Sequence, residues 1–167
     1  MRYLGNEKAG RPSALFTRVV LAGRFGMLSG MQKRISQIAL EWLPDFISIP
    51  ANRANEDVLA AYLLAFHCAW NSHNGVHPTL RVEAMADDIW QHIGQEYPEF
   101  TKVLRFADRR ELTNAILGHK RKHAPDDDRI IVRAGILPGN QGELRVVADF
   151  VNKADYDPNM SVSLDRE

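Results

Sequence analysis

The sequence predicts a mainly helical α+β domain that ends in an antiparallel β-hairpin, and three patterns indicate it. Residues 58–70 are apolar at every position except His67, two segments with helical spacing follow them, and after Pro125 the apolar spacing changes to that of β-strands. The chain has 167 residues, of which 45% are hydrophobic and 25% charged. This composition is typical of a globular protein, and the length is typical of one domain.

The first third of the chain has the least regular pattern. Residues 1–13 are polar, contain glycine and proline, and predict an N-terminal arm, whereas residues 14–28 fit either a short helix or a strand. Apolar residues at spacings of three and four from Ser29 to Leu43 predict an amphipathic helix. We expect it to end at Pro44, because proline disfavours helical geometry at the residue before it. Residues 45–52 then predict an extended connector.

The strongest helical pattern covers residues 55–71. Asn55 is a good N-cap, acidic residues occupy the first turn, and every residue from Val58 to Trp70 except His67 is apolar. A helix that is apolar all round is buried, so we expect this one to be the central element of the fold. Residues 71–75 have the composition of a turn that ends it.

Two further helical segments precede the predicted hairpin. Residues 78–94 predict a helix that begins at Pro78 and closes at Gly94, and residues 98–107 show helical spacing again. Asp108 and Glu111 have the spacing of a capping box, which predicts a helix start at Asp108. Residues 98–119 therefore form either one kinked helix or two helices that meet at Asp108.

The end of the chain predicts two strands and a tail. Arg129 to Leu137 and Glu143 to Val151 are β-branched segments that flank a five-residue turn, the pattern of a β-hairpin. Residues 152–167 are polar and acidic and predict a C-terminal tail. We expect residues 14–151 to form a single globular domain between the arm and this tail.

Charge is segregated along the chain although the formal net charge is zero. Residues 1–34 and 102–133 have an excess of basic side chains, whereas residues 35–101 and 134–167 have an excess of acidic ones. Such blocks can form a basic and an acidic face on one molecule, or they can neutralise one another across the folded surface. The sequence leaves both arrangements open.

No motif for catalysis, a cofactor or a metal is evident. Cys68 is the only cysteine, which excludes an intramolecular disulfide, and its apolar neighbours favour a core position. His119 and His123 have the spacing of zinc ligands, but the basic residues between them would repel a cation. We therefore expect a non-enzymatic protein with no cofactor and no metal.

One arrangement does suggest a mechanism, because residues 55–151 order two helices, a basic helix and a hairpin. Winged-helix proteins place a basic recognition helix before a β-hairpin that contacts phosphates, so residues 55–151 predict a winged-helix-like domain. The predicted nucleic-acid-binding residues are basic side chains on that helix and hairpin, with one amide able to face a base edge. They are Arg109, Arg110, Asn114, Lys120, Arg121, Lys122, Arg129 and Arg133.

Two functions from different classes follow from these patterns. The first is a small regulator that binds nucleic acid. The second is a protein-binding adaptor or inhibitor, for example of a nucleic-acid-handling complex, whose charged blocks complement a partner. Glycines and arginines interrupt the apolar run near the N-terminus, so we expect no membrane span and a cytoplasmic protein.

Overall fold

A computed structural model describes residues 33–47, 56–77, 80–96, 106, 108–138 and 144–158. In this part of the chain the elements follow one another in the order α1 (Ile35–Phe46), α2 (Glu56–His73), α3 (Leu80–Glu96), α4 (Arg109–His123), β1 (Ile130–Pro138) and β2 (Leu144–Val151), and a short 3-10 helix, Lys153–Asp155, follows β2. The predicted mainly helical α+β class with a C-terminal antiparallel hairpin is confirmed. The predictions for residues 1–32, 48–55, 78–79, 97–105, 107, 139–143 and 159–167, which include the helix start at Pro78 and the hairpin turn, lie outside the described residues.

Helix α2 is the centre of the fold, as its apolar sequence predicts. It packs against α3, α4 and β1, and twelve of its eighteen residues are buried. The aromatic rings of Tyr62, Phe66 and Trp70 are fully buried and stack along the helix at centroid distances of 5.3 to 6.1 Å. The burial is not complete, however, because Ala60 and Leu64 are only half-buried.

The end of α2 lies two residues later than the sequence predicted. The helix continues to His73, and the turn follows at Gly75, whose φ of 80° is the left-handed conformation that glycine adopts without strain. The amide of Gly75 donates to Ser72 O at 3.2 Å, and that of Val76 donates to Asn71 O at 2.9 Å. This pair of bonds is the Schellman arrangement that satisfies carbonyls at a helix end.

Helix α1 does not end at Pro44, so that prediction was wrong. The helix continues to Phe46, and the amide of Ile47 donates to Leu43 O at 2.9 Å. Asp45 and Phe46 are thus helical rather than part of an extended connector. Proline in the last turn removes only the one hydrogen bond that its own amide would make, while the turn it permits buries Phe46 and Ile47 almost completely.

Helix α3 also runs past its predicted end. Gly94 was expected to close the helix, but helical structure continues to Glu96. Glycine inside a helix costs only about 1 kcal/mol relative to alanine, and the neighbouring Ile93 is buried in the core. Ala86 is also fully covered, whereas Met85 remains 46% exposed.

Helix α4 begins where the sequence predicted. The Asp108 carboxylate accepts a hydrogen bond from the amide of Glu111 at 2.8 Å, which caps the helix N-terminus. Leu112 and Ile116 are completely buried against the core, and one helical turn further Lys120 is buried as well. The same helix therefore has an apolar inner face that ends in a cation.

The two strands form an antiparallel pair with an irregularity at Val132. Ile131 pairs with Phe150 and Arg133 pairs with Asp149, so the strand gains one residue between these positions. Beyond this extra residue, the side chains of β1 that would otherwise point to solvent point to the core, and the reverse. As a result Ala134 and Ile136 pack against the core, while Arg133 is exposed to solvent.

Side chains from the end of α2 hold the first residues of the hairpin. The Asn71 amide donates to Ile131 O and accepts from Ile131 N, both at 2.8 Å, so it takes the place of a neighbouring strand. The Trp70 indole and the Asn74 amide each donate to Arg129 O at 2.8 Å. We call these three side chains, Trp70, Asn71 and Asn74, the α2 clamp.

We predict that Asn71→Ala lowers the free energy of unfolding by about 2–4 kcal/mol, because it leaves the buried Ile131 amide and carbonyl without their partner. Chemical denaturation measures this value. Ser72→Ala is the matched control on the next residue of the same helix, and we expect it to change stability by less than about 0.5 kcal/mol. Equal effects of the two variants would contradict the role of the clamp.

The buried His67 predicts sensitivity to acid. Burial lowers the pKa of His67 to about 4, and a hydrogen bond with the Ile131 backbone opposes this only in part. As pH falls below 6.5 the unfolded chain binds a proton that the folded chain does not, so stability decreases through the window from 6.5 to 4.

We therefore expect His67→Leu to lose less stability than the wild type between pH 7 and pH 4.5 in denaturation experiments at both pH values. His77→Gln, which changes an exposed histidine, serves as the control and should keep the wild-type acid sensitivity. A His67→Leu protein as acid-sensitive as the wild type would show that other groups cause the loss.

Candidate nucleic-acid interface

The structure divides the eight predicted nucleic-acid-binding residues into two groups. The side chains of Arg109, Lys120 and Arg129 are buried and engaged inside the fold. The other five are exposed or border solvent, and four of these lie on α4: Arg110, Asn114, Arg121 and Lys122. The fifth, Arg133, lies on β1.

Arg109 connects the first turn of α4 to α3. Its Nε donates to Asp87 Oδ1 at 2.6 Å and its Nη2 donates to Asp87 Oδ2 at 3.2 Å. This forked pair is the geometry in which a guanidinium binds a carboxylate most specifically. Because only 10% of the Arg109 side chain is exposed, its donors serve the contact between helices.

Lys120 is fully buried, although it lies in a run of basic residues. Its Nζ donates to the carbonyls of Ala124 and Asp127 and lies 4.3 Å from the centroid of the Trp70 ring. Burial lowers the pKa of Lys120 to about 8, although the nearby carboxylate of Asp127 acts in the opposite direction. The ammonium thus holds the connector between α4 and β1 onto the core.

Arg129 forms a buried ion pair within this connector. Its Nε donates to Asp127 Oδ1 at 2.8 Å, and its guanidinium carbon lies 4.8 Å from the centroid of the Phe150 ring. Burial acts to raise the pKa of Asp127, but the hydrogen bond and the charge of Arg129 outweigh it and lower the pKa. The two side chains are 3% and 10% exposed, so their charges compensate each other inside the protein.

Arg133 has a different setting from the buried arginines. It pairs across the hairpin with Asp149, with 2.7 Å between Nε and Oδ2, and about half of each side chain is exposed. Exposed pairs of this kind contribute at most about 1 kcal/mol. Arg133 therefore remains accessible from solution.

The exposed side of α4 carries a polar and basic stripe. Arg110, Asn114, Gly118 and Arg121 follow one another at spacings of four, four and three residues, which places them on one face of the helix. We call these four residues the α4 stripe, and Lys122 lies beside it. A Cβ atom at Gly118 would have no heavy atom within 4 Å, so the middle of the stripe is open.

Carboxylates border the α4 stripe at both ends. At the N-terminal end, Asp108 caps the helix and Glu111 lies in its first turn. At the C-terminal end, Asp126 and Asp128 are exposed in the connector that follows the helix. Asp127 is instead neutralised by Arg129. The potential along α4 is therefore positive at the stripe and negative near its two ends, which limits how many phosphates can approach.

The described residues contain no group of three or more His, Cys, Asp and Glu side chains that could hold a metal ion. The His119 and His123 rings are stacked at a centroid distance of 4.1 Å, and the His119 ring also meets the edges of Trp42 and Phe46. Burial raises the pKa of the Cys68 thiol to about 11, which makes it a poor nucleophile. None of the described helices is long and apolar enough to cross a membrane.

The sequence does contain a pattern that predicts the burial of Lys120, although a count of basic residues does not reveal it. Leu112, Ile116 and Lys120 are four residues apart, so a helix that buries the first two points the third to the same side. Arg109 precedes Leu112 by three residues and follows the same rule. The helical phase, rather than the number of basic residues, separates the inner cations of α4 from the outer ones.

Comparisons of the chain with protein-family models, with curated proteins and with solved structures found no match.

We predict that Lys120→Ala lowers the free energy of unfolding by about 2 kcal/mol, because two carbonyls lose their donor and Trp70 loses packing. Arg121→Ala and Lys122→Ala remove neighbouring exposed cations and should each change it by less than about 0.5 kcal/mol. The measurement is chemical denaturation of the three variants.

The same comparison has a pH signature. The folded-state pKa of Lys120, about 8, lies below its ordinary value of 10.5, so wild-type stability gains from this residue as pH rises between these values. The difference between wild type and Lys120→Ala should grow from pH 8 to pH 10. A pH-independent difference, or a Lys120→Ala protein as stable as Arg121→Ala, would contradict the buried position.

Proposed function

We propose that the protein is a non-enzymatic nucleic-acid-binding protein that uses the α4 stripe, with Lys122 beside it, as its contact surface. The observation that carries the proposal is the stripe itself, an exposed helix face with two arginines, an amide and an open glycine. This face leaves out Arg109, Lys120 and Arg129, whose donors serve the fold.

The residue types of the α4 stripe suit a nucleic acid. Arg110 and Arg121 have the forked donors that bind phosphate oxygens or the edge of guanine, and Asn114 has the amide that can bind adenine bidentately. Glycine at position 118 lets a ligand approach the helix backbone closely. The stripe extends over about 16 Å, and an α-helix of this size fits the major groove of duplex DNA.

The hairpin after α4 supports the same proposal. In a winged-helix-like arrangement it would contact the backbone of the nucleic acid beside the recognition helix. Arg133 is the predicted hairpin residue that is accessible for this purpose, and its exposed pair with Asp149 costs little to exchange for a phosphate. Arg145 is exposed on the same face of the hairpin, which adds a second cation.

The salt dependence of binding to a short DNA duplex tests the proposal. Three phosphate contacts on α4, from Arg110, Arg121 and Lys122, and a fourth from Arg133 predict a slope of about −4 in a plot of log affinity against log salt concentration. The double variant Arg110→Ala/Arg121→Ala should reduce this slope to about −2. Lys33→Ala/Lys153→Ala is the matched control, because it removes two exposed cations that are not part of α4 and should keep the wild-type slope.

Two results would overturn the proposal. One is the lack of any binding to duplex DNA, single-stranded DNA or RNA at low salt by the folded protein. The other is an equal loss of affinity in the α4 variant and in the control, since that would show general attraction to positive charge rather than a contact surface on α4.

A further inference from the structure

An open apolar groove lies between α2, α3 and β1. Its volume is about 240 Å³, and it shares no residue with the α4 stripe. Ala60, Leu63 and Leu64 form its floor on α2, Met85 and Ile89 form one wall on α3, and residues 134–136 of β1 form the other wall.

The floor of the groove is the side of α2 that the described elements leave uncovered. The sequence of α2 is apolar all round, which is typical of a helix buried on every side, yet Ala60 and Leu64 are only half-buried. Met85, beside them, is 46% exposed, an unusual setting for a large apolar side chain whose neighbour Ala86 is fully covered. Apolar surface that is contiguous across two helices is a mark of interaction sites.

The wall on β1 offers main-chain hydrogen-bonding groups. Among the described residues the sheet has two strands, and β2 occupies one edge of β1. On the other edge the α2 clamp satisfies Arg129 and Ile131, but it does not extend to residues 134–136. The main-chain groups of Ile131 face this edge, and residues of an antiparallel pair alternate in direction. By the register of the pair, the N–H and C=O groups of Ala134 and Ile136 face the same edge, and both residues line the groove.

The charge at the groove is acidic. Glu56, in the first turn of α2, lines one end of it, and none of the described lining residues is basic. Glu56 is exposed, and its carboxylate is available to a cation from outside. An apolar ligand with a basic group at one end therefore complements the groove.

We propose that this groove binds an extended segment of a partner protein, which adds a third strand at the edge of β1 that no described strand occupies. Main-chain hydrogen bonds to β1 hold such a strand, and alternate apolar side chains enter the pocket over Leu63, Leu64 and Met85. A lysine or arginine of the segment lies beside Glu56. This interaction is independent of the proposed nucleic-acid contact, because it uses none of its residues.

A second copy of the chain fits this groove less well. In a twofold interface each copy presents the same surface, so a second copy would offer its own acidic groove and no complementary cation. A basic extended segment has the opposite charge. The main-chain groups of Ala134 and Ile136 favour a strand, since a docked helix satisfies its own backbone groups.

The test uses random twelve-residue peptides displayed on phage and selected against the full chain. We expect enriched peptides to alternate apolar residues and to carry lysine or arginine near one end. A synthetic peptide from this selection should slow amide hydrogen exchange in residues 134–137. N-methylation of alternate peptide amides should abolish binding in one register and leave it unchanged in the other, because every second amide of an added strand faces β1.

Variants of the groove locate the peptide. Met85→Lys should weaken its binding by about tenfold or more, since it places a charge in the apolar pocket. Ala84→Lys is the matched control, because Ala84 is exposed on the same helix and is not a lining residue, and it should keep wild-type affinity. Glu56→Lys should weaken binding and reduce its dependence on salt.

Three outcomes would overturn the proposal: no peptide is enriched, both N-methylation registers bind equally, or Met85→Lys binds as tightly as the wild type. A wild-type dimer that Met85→Lys converts to a monomer would also overturn it, because the groove would then bind a second copy. Loss of DNA binding by the α4 variant leaves this test unaffected, so the two proposals fail separately.

Discussion

The fold depends on the α2 clamp, which joins the helical part of the chain to the hairpin. A two-stranded hairpin is marginally stable alone, so it needs a partner that covers its apolar face and satisfies its edge. Asn71 provides both a donor and an acceptor to Ile131, and Trp70 and Asn74 saturate Arg129 O. Trp70 and Asn71 lie in the last turn of α2 and Asn74 directly follows it, so the orientation of the hairpin follows from the orientation of α2.

Hydrophobic periodicity predicted the helices and strands better than it predicted their ends. The apolar run of α2, the Asp108 cap of α4 and the β-branched hairpin are strong local signals, and the structure agrees with them. Pro44 and Gly94 were taken as helix ends because local propensity disfavours helix there. Burial of Phe46 and Ile93 outweighs that preference, and such tertiary burial is not visible in a local pattern.

The candidate site was only partly predictable, because the number of basic residues in a segment does not show which of their side chains face solvent. Arg110, Asn114 and Arg121 are exposed, as a binding surface requires. Lys120 and Arg129 instead bind the connector between α4 and β1: Lys120 donates to the carbonyl of Asp127, and Arg129 pairs with its carboxylate. The phase of Leu112 and Ile116 identifies Lys120 as an inner residue. The pairing of Arg129 with Asp127 depends on a tertiary arrangement that no spacing reveals.

The large sequence separation across the α2 clamp also has a kinetic consequence. Trp70 and Asn71 bond to residues 59 and 60 positions later, so the clamp closes a loop that contains both α3 and α4. The entropy lost in closing such a loop is recovered only after the helices within it have shortened the path between its ends. Helix formation and the turn of the hairpin are local events, and the union of α2 with β1 is expected to come late in folding. We therefore expect the contacts between α2 and β1 to form and to break together, as one cooperative unit.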